Sequence, residues 1–229
     1  MRAIGENAAA AGEVPETEFN VVDLIQEDWR DMVTTFYFPR LGKKITDPKL
    51  RAFIDNTNKE LLEEGQEASQ IKNIASKAHR FMMSNIWILE TLIENLKDEQ
   101  MFDAVDSIGS EIFELGNKMD NPRLQVFARL TLGEIASQEH LLDDARAEQG
   151  IEHLVKCNDL YQQDASLLSS EEFSRLAIGL STLYRSYKKD TSQAKRWLEL
   201  AKDKITDQRV LLNFYIESAI MLSSENKHN

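Results

Sequence analysis

The sequence predicts an all-α chain. From residue 21 onward apolar residues recur at three-to-four spacing almost without interruption, and no segment alternates with the period of two that marks a half-buried strand. Cap-then-proline and cap-then-glutamate signals fall where such helices would begin. The 229 residues are enough to bury roughly 70% of the surface exposed by the unfolded chain, so a core of this size needs neither disulfides nor a structural metal.

Residues 1–20 mix small and acidic residues with no periodic apolar face and are expected to be a disordered tail. A first helix is expected over 21–38, with Val22, Ile25, Trp29, Met32, Val33 and Phe36 on one stripe, stopped by Pro39 and Gly42. Asp47 before Pro48 starts a second, bearing Leu50, Phe53, Ile54, Leu61 and Leu62 and ending at Gly65. Ala68 to Leu96 then keep helical spacing, which predicts one long third helix, apolar nearly all round from Phe81. A stripe of Met101, Val105, Ile108, Ile112, Leu115 and Met119 follows, and Asn121 with Pro122 opens a helix carrying Leu124, Phe127, Ala128, Leu132 and Ile135.

After a turn around His140, Ala147, Ile151, Leu154 and Val155 face inward. Ser169 and Glu172 form a candidate capping box, in which each side chain satisfies an otherwise unpaired backbone N–H at the other's position. The helix it opens bears Phe173, Leu176, Ala177, Leu180, Tyr184 and Tyr187. Thr191 or Ser192 starts the next, bearing Ala194, Trp197, Leu198 and Ala201, and Thr206 or Asp207 the last, bearing Leu211, Tyr215, Ala219 and Leu222; a polar tail occupies 224–229.

From residue 67 the helices fall into antiparallel pairs, about 67–119, 121–161 and 172–205, with 208–223 closing the set. Leu132-Gly133 in one first helix, Ile178-Gly179 and Tyr184 in the next, and Ala194, Leu198 and Ala201 at spacings of four and three in a second helix resemble the tetratricopeptide pattern. The match covers about residues 78–223 and is degenerate, since the two glycines stand 46 apart where the strict repeat is about 34 residues. The resemblance implies antiparallel helix pairs stacked as a right-handed, tetratricopeptide-like superhelix over 67–223, with helices over 21–66 capping one end and the helix from Gln208 the other. If the N-terminal helix does not fold back, Phe36, Tyr37 and Phe38 offer a surface for a homodimer.

The chain is acidic, with 39 Asp and Glu against 27 Lys and Arg and a net charge of -12. That argues against nucleic acid or anionic membrane as partners. With no secretory signal or membrane-length apolar run and one cysteine, Cys157, a cytoplasmic location is expected. Cys157 beside Lys156 reads as a buried, idle thiol. The histidines, His79, His140, His153 and His228, lack metal-ligand spacing, and no Glu stands three residues before His79, His140 or His153. There is no phosphate loop and no nucleophile elbow, so no cofactor, metal or catalytic residue is expected.

Residues 90–172 hold nineteen acids and six bases, whereas 175–209 hold nine bases and four acids. Arg185, Lys188, Lys189, Lys195, Arg196 and Lys202, with Lys204, therefore form a candidate contact for an acidic peptide or protein partner. The expected function is that of a non-enzymatic adaptor or regulatory protein. The alternative is histidine phosphotransfer through His79, whose His-Arg-Phe context resembles the phosphoacceptor helix of some signalling proteins.

Overall fold

The computed structural model describes residues 30–83, 85–139 and 144–226. The acidic tail, the first helix through Trp29 and the turn at His140 lie outside them. Every regular element among the described residues is helical, and the chain forms two compact units, Met1–Ser84 and Asn85–Asn229.

In the first unit the opening helix does not stop at Pro39. A π-helical stretch, Met32–Tyr37, runs directly into α1 (Phe38–Lys44), placing the proline in the first turn of the α segment. Proline supplies no N–H and crowds the carbonyl four residues back. Arg40 compensates by donating to the carbonyls of Thr35 (3.3 Å) and Phe36 (3.0 Å) while its guanidinium lies 4.5 Å above the Phe36 ring. Tyr37, Phe38 and Leu41 are buried, so two of the three rings expected at a dimer surface belong to the core of their own unit. In α2 (Pro48–Leu62) the Asp47 carboxylate accepts from the Leu50 N–H at 2.8 Å, as its sequence signal requires. Leu50, Ile54 and Leu61 point inward and Leu62 outward. Gly65, at φ +79°, makes the turn to α3 (Ala68–Met83), where Ala75, Ala78 and Met82 are buried.

The expected long helix over 68–96 is two helices. The backbone leaves helical geometry at Asn85 (φ -120°, ψ 94°), whose carbonyl accepts the first bond of α4 (Ile86–Asp98). Apolar spacing carries on across the break, which is why the sequence hides it. Asn85, where α4 begins, is a type that favours helix starts over helix interiors.

The second unit continues with α5 (Phe102–Lys118), α6 (Pro122–Glu139), α7 (Asp144–Gln163), a 3₁₀ turn (Ala165–Leu167), α8 (Ser170–Ser186), α9 (Thr191–Lys202) and α10 (Gln208–Asn226). Asn121, Ser169, Asp190 and Asp207 cap α6, α8, α9 and α10, and Ser169 and Glu172 complete the capping box. Side-chain register gives the helix directions. Gly109 meets Leu132 and Gly116 meets Gln125, so α5 and α6 are antiparallel. Likewise Gly133 meets Leu154 and Gly150 meets Ala136 across α6 and α7. Between α6 and α8, Glu134 meets Arg175 and Ser137 meets Gly179, a nearly constant offset that makes them parallel. The inner faces of α7, α8 and α9 merge in one apolar cluster that includes Leu154, Cys157, Leu176, Leu180, Leu183, Leu198 and Ala201.

The last helix packs on a different face from the one expected. Val210, Glu217 and Met221 are buried, whereas Leu211, Tyr215 and Leu222 are exposed. Because α10 is apolar nearly all round, periodicity alone does not select which stripe turns inward.

Both glycines of the repeat-like pattern close on one side chain. A β-carbon on Gly133 would stand 2.3 Å from Leu154 Cγ, and one on Gly179 3.0 Å from Leu154 Cδ1. Gly133→Ala is expected to lower stability by about 1–3 kcal/mol through overpacking, despite alanine's better helix propensity. Leu154→Ala alone should cost about 2–5 kcal/mol, and the double variant less than the sum, because the smaller residue relieves the clash. Urea denaturation of the four proteins checks this; a neutral or stabilising Gly133→Ala is incompatible with the close crossing.

Candidate functional site: a groove along alternate helices

Every second helix of the unit, α4, α6, α8 and α10, lines a groove of about 1090 Å³. Its floor is charged and its α10 bank apolar. On the floor Glu134 of α6 receives Arg175 of α8 through two parallel bonds (Nε 2.5 Å, Nη2 2.7 Å) and Lys97 of α4 at 2.7 Å. Lys97 also meets Glu94 at 3.1 Å, and Arg175 approaches the same carboxylate at 3.7 Å. The network therefore ties α4, α6 and α8 together.

A second bidentate pair joins α8 to α10, with Arg185 donating to Glu217 at 2.7 and 2.9 Å. At the opposite end of α8, Arg123 donates to Glu172 at 2.6 Å and to the Leu167 carbonyl at 3.0 Å, fixing the start of α6 to the capping box. Facing these charges, Leu212, Ile216 and Ile220 of α10 form the apolar bank.

Burial acts to raise the Glu134 pKa, but Arg175 and Lys97 more than offset it and hold the carboxyl down at about 2. Arg175 is raised in turn, the attraction of Glu134 exceeding its own desolvation. Glu90, half-buried in the same groove, is raised by burial and by the nearby charge of Glu172.

The six basic residues singled out by charge clustering fall on α8, the turn that follows it and α9. Arg185 lines the groove and is engaged by Glu217. Lys188 sits at the end of α8, where its ammonium and the Tyr187 hydroxyl reach Glu148 of α7 at 2.7 and 2.9 Å. Lys189 occupies the turn at φ +56° and donates to the Ser186 carbonyl. Lys195, Arg196 and Lys202 are exposed on α9, which does not line the groove. Tyr184, Tyr187 and Trp197 pack partly buried against the core, as their helical spacing suggests.

His79 is half-buried on α3 in the first unit. Cys157 is buried with its Sγ 3.6 Å from the Val126 carbonyl, and desolvation pushes its pKa up to about 12. Lys156 beside it in sequence does not activate the thiol; a helical neighbour points about 100° away. Among the described residues, no group of three His, Cys, Asp or Glu is placed to hold a metal ion, and no helix is long and apolar enough to cross a membrane.

Glu134, Arg175 and Glu217 are the site residues that charge counting missed. Each stands in a largely apolar stretch (Leu132 to Ala136, Phe173 to Leu176, Tyr215 to Met221), where a lone charge signals a buried partner. No protein family, curated protein or solved structure matches this chain.

The depressed Glu134 pKa fixes a sign. Its stabilisation is present above the ordinary carboxylate value of 4.5 and is lost as pH falls toward about 2; it amounts to about 3 kcal/mol. Glu134→Gln should lose about that much at neutral pH, since two cations are left beside a neutral amide. The gap from the parent should narrow toward pH 2, as urea midpoints across the acid range would record. A gap as wide at pH 2 as at pH 7 contradicts the ion-pair account.

Proposed function

We propose that this chain is a non-enzymatic adaptor or regulatory protein, built on a tetratricopeptide-like array, that takes a peptide or protein partner in the groove of its second unit. The observation that carries this reading is the groove's construction. Its walls are every second helix of the unit, which is how stacked helical repeats create an extended binding surface. The volume, about 1090 Å³, stands at the upper end of the roughly 300–1,000 Å³ of ordinary small-molecule pockets. An open trough of that size suits a segment of chain.

The floor supports the same reading. Glu134, Glu217, Arg175 and Arg185 are held in bidentate pairs, so the groove is organised before anything binds and a partner meets fixed polar groups opposite an apolar bank. Affinity would come from burying Leu212, Ile216 and Ile220, and register from the flanking charges.

The experiment is a comparison of two variants in quantitative capture of a partner retained by the parent protein. Thr182→Arg with Ile216→Arg fills the groove, whereas Lys195→Glu with Arg196→Glu and Lys202→Glu reverses the exposed face of α9. The groove variant is expected to weaken capture at least about tenfold, or 1.4 kcal/mol, with helicity and melting unchanged, while the α9 variant retains it. Loss only in the α9 variant would transfer the contact to the basic face.

A further inference from the structure

We infer that the groove of the second unit takes a basic amphipathic helix, one with apolar side chains along one side and lysines or arginines along the other. This rests on the groove being the binding surface and names the chemistry that fits it. The four lining helices form a series through their ion pairs, α4 to α6 by Lys97 and Glu134, α6 to α8 by Arg175 and Glu134, and α8 to α10 by Arg185 and Glu217. Helices α4 and α10 stand at the two ends of the series, and the stripes they contribute to the groove differ in kind. Along α4 run Glu90, Glu94 and Asp98, and along α10 Leu212, Ile216 and Ile220. Both stripes repeat every four residues, a step of about 6 Å along each helix.

Charge selects the sign of the occupant. Eight of the residues lining the groove are acidic and four are basic. Three of those bases, Lys97, Arg175 and Arg185, are bonded to the buried carboxylates of Glu134 and Glu217, which leaves negative charge in surplus. Glu90 is half-buried and makes no hydrogen bond or ion pair with another described residue; Arg175 and Arg123, the cations that act on it, are bonded to Glu134 and Glu172. A cation supplied by a partner gains attraction along this bank, whereas an acidic segment meets repulsion there. The other bank gains by burial, because Leu212, Ile216 and Ile220 are all exposed and covering them removes apolar surface from water. The floor favours a helix over an extended segment. An extended backbone needs donors and acceptors from its surroundings, and the charged groups of the floor are already paired with one another. A helix satisfies its backbone internally and presents side chains at the same four-residue step as both stripes.

Fluorescence anisotropy of the full chain with three synthetic peptides in about 0.15 M salt tests the proposal. Each peptide has about 14 residues and the same leucine stripe at three-to-four spacing, with lysine, glutamine or glutamate on the opposite side. The parent should hold the lysine peptide at least about tenfold tighter than the glutamate peptide, with a gain of helical circular dichroism on binding. Leu212→Gln with Ile216→Gln, which strips the apolar bank and adds no charge, should weaken the lysine and glutamine peptides alike. Glu90→Gln with Asp98→Asn should bring the lysine peptide down to the glutamine peptide and leave the latter unchanged, a difference that misfolding does not produce. A glutamate peptide held tightest, and released by Leu212→Gln with Ile216→Gln, overturns the proposal while leaving the groove as the binding surface. Lysine-peptide binding that ignores the apolar-bank variant is attraction to acidic surface at large and also overturns it. So does equal weakening of the lysine and glutamine peptides by the α4 variant, or binding with no gain of helix. Binding of none of the three removes the basic helix as occupant, and partner capture by the groove variant then decides the groove by itself.

Discussion

The second unit is organised around one side chain. Leu154 of α7 is buried between Gly133 of α6 and Gly179 of α8, and a β-carbon at either glycine would stand 3.0 Å or less from it. The relation is reciprocal, because Gly150 of α7 lies against Ala136 of α6 and Leu183 of α8. Each glycine weakens its own helix by about 1 kcal/mol relative to alanine. That cost is offset by allowing three helices to share one leucine at van der Waals contact, where a β-carbon would hold them apart. The parallel approach of α6 and α8, with α7 behind, follows from this packing.

The groove depends on that approach. Once α6 and α8 lie this close, Glu134 and Arg175 come within 2.7 Å, and Lys97 of α4 reaches the same carboxylate. A nearly buried carboxylate costs several kcal/mol unless it is paired, so the network depends on the packing as much as it ties α4, α6 and α8 together. Many of the charges in the chain's lopsided count are thus committed to one another. Arg185 and Lys188, conspicuous in sequence as part of a basic cluster, satisfy Glu217 and Glu148. A charge count by segment cannot separate a cation facing solvent from one answering a carboxylate on another helix, because the two are brought together only by the fold.

Much of the fold was legible because its signals are local. Asp47, Asn121, Ser169 and Asp207 cap helices at the expected places, since a capping side chain acts within three residues of itself. Gly133 and Gly179 stood out as small residues in helices that pack closely, although their common partner Leu154 did not. Less legible were features set by tertiary context. Pro39 has the local signature of a stop, yet Arg40 takes over the carbonyls it crowds and the helix continues. The break at Asn85 leaves the apolar spacing intact and so leaves no trace in a periodicity. The groove itself was not legible, because its walls come from four helices spread over more than a hundred residues.

Helix α10 shows how one physical property produces both a misreading and a clue. A helix with apolar residues on every face gives no stripe by which to choose its buried side, so Leu211, Tyr215 and Leu222 fit an inward register as well as Val210, Glu217 and Met221 do. What decides is the one charge between Val210 and Leu222. Glu217 meets Arg185 of α8 and rotates the helix so that its carboxylate, not a leucine, turns toward the unit. An ion pair with this geometry needs the two groups in one orientation, whereas apolar contacts tolerate several. Fixing Glu217 inward leaves the arc around Tyr215 and Ala219 facing out. The bond that seats the last helix is therefore the same one that exposes its most apolar face.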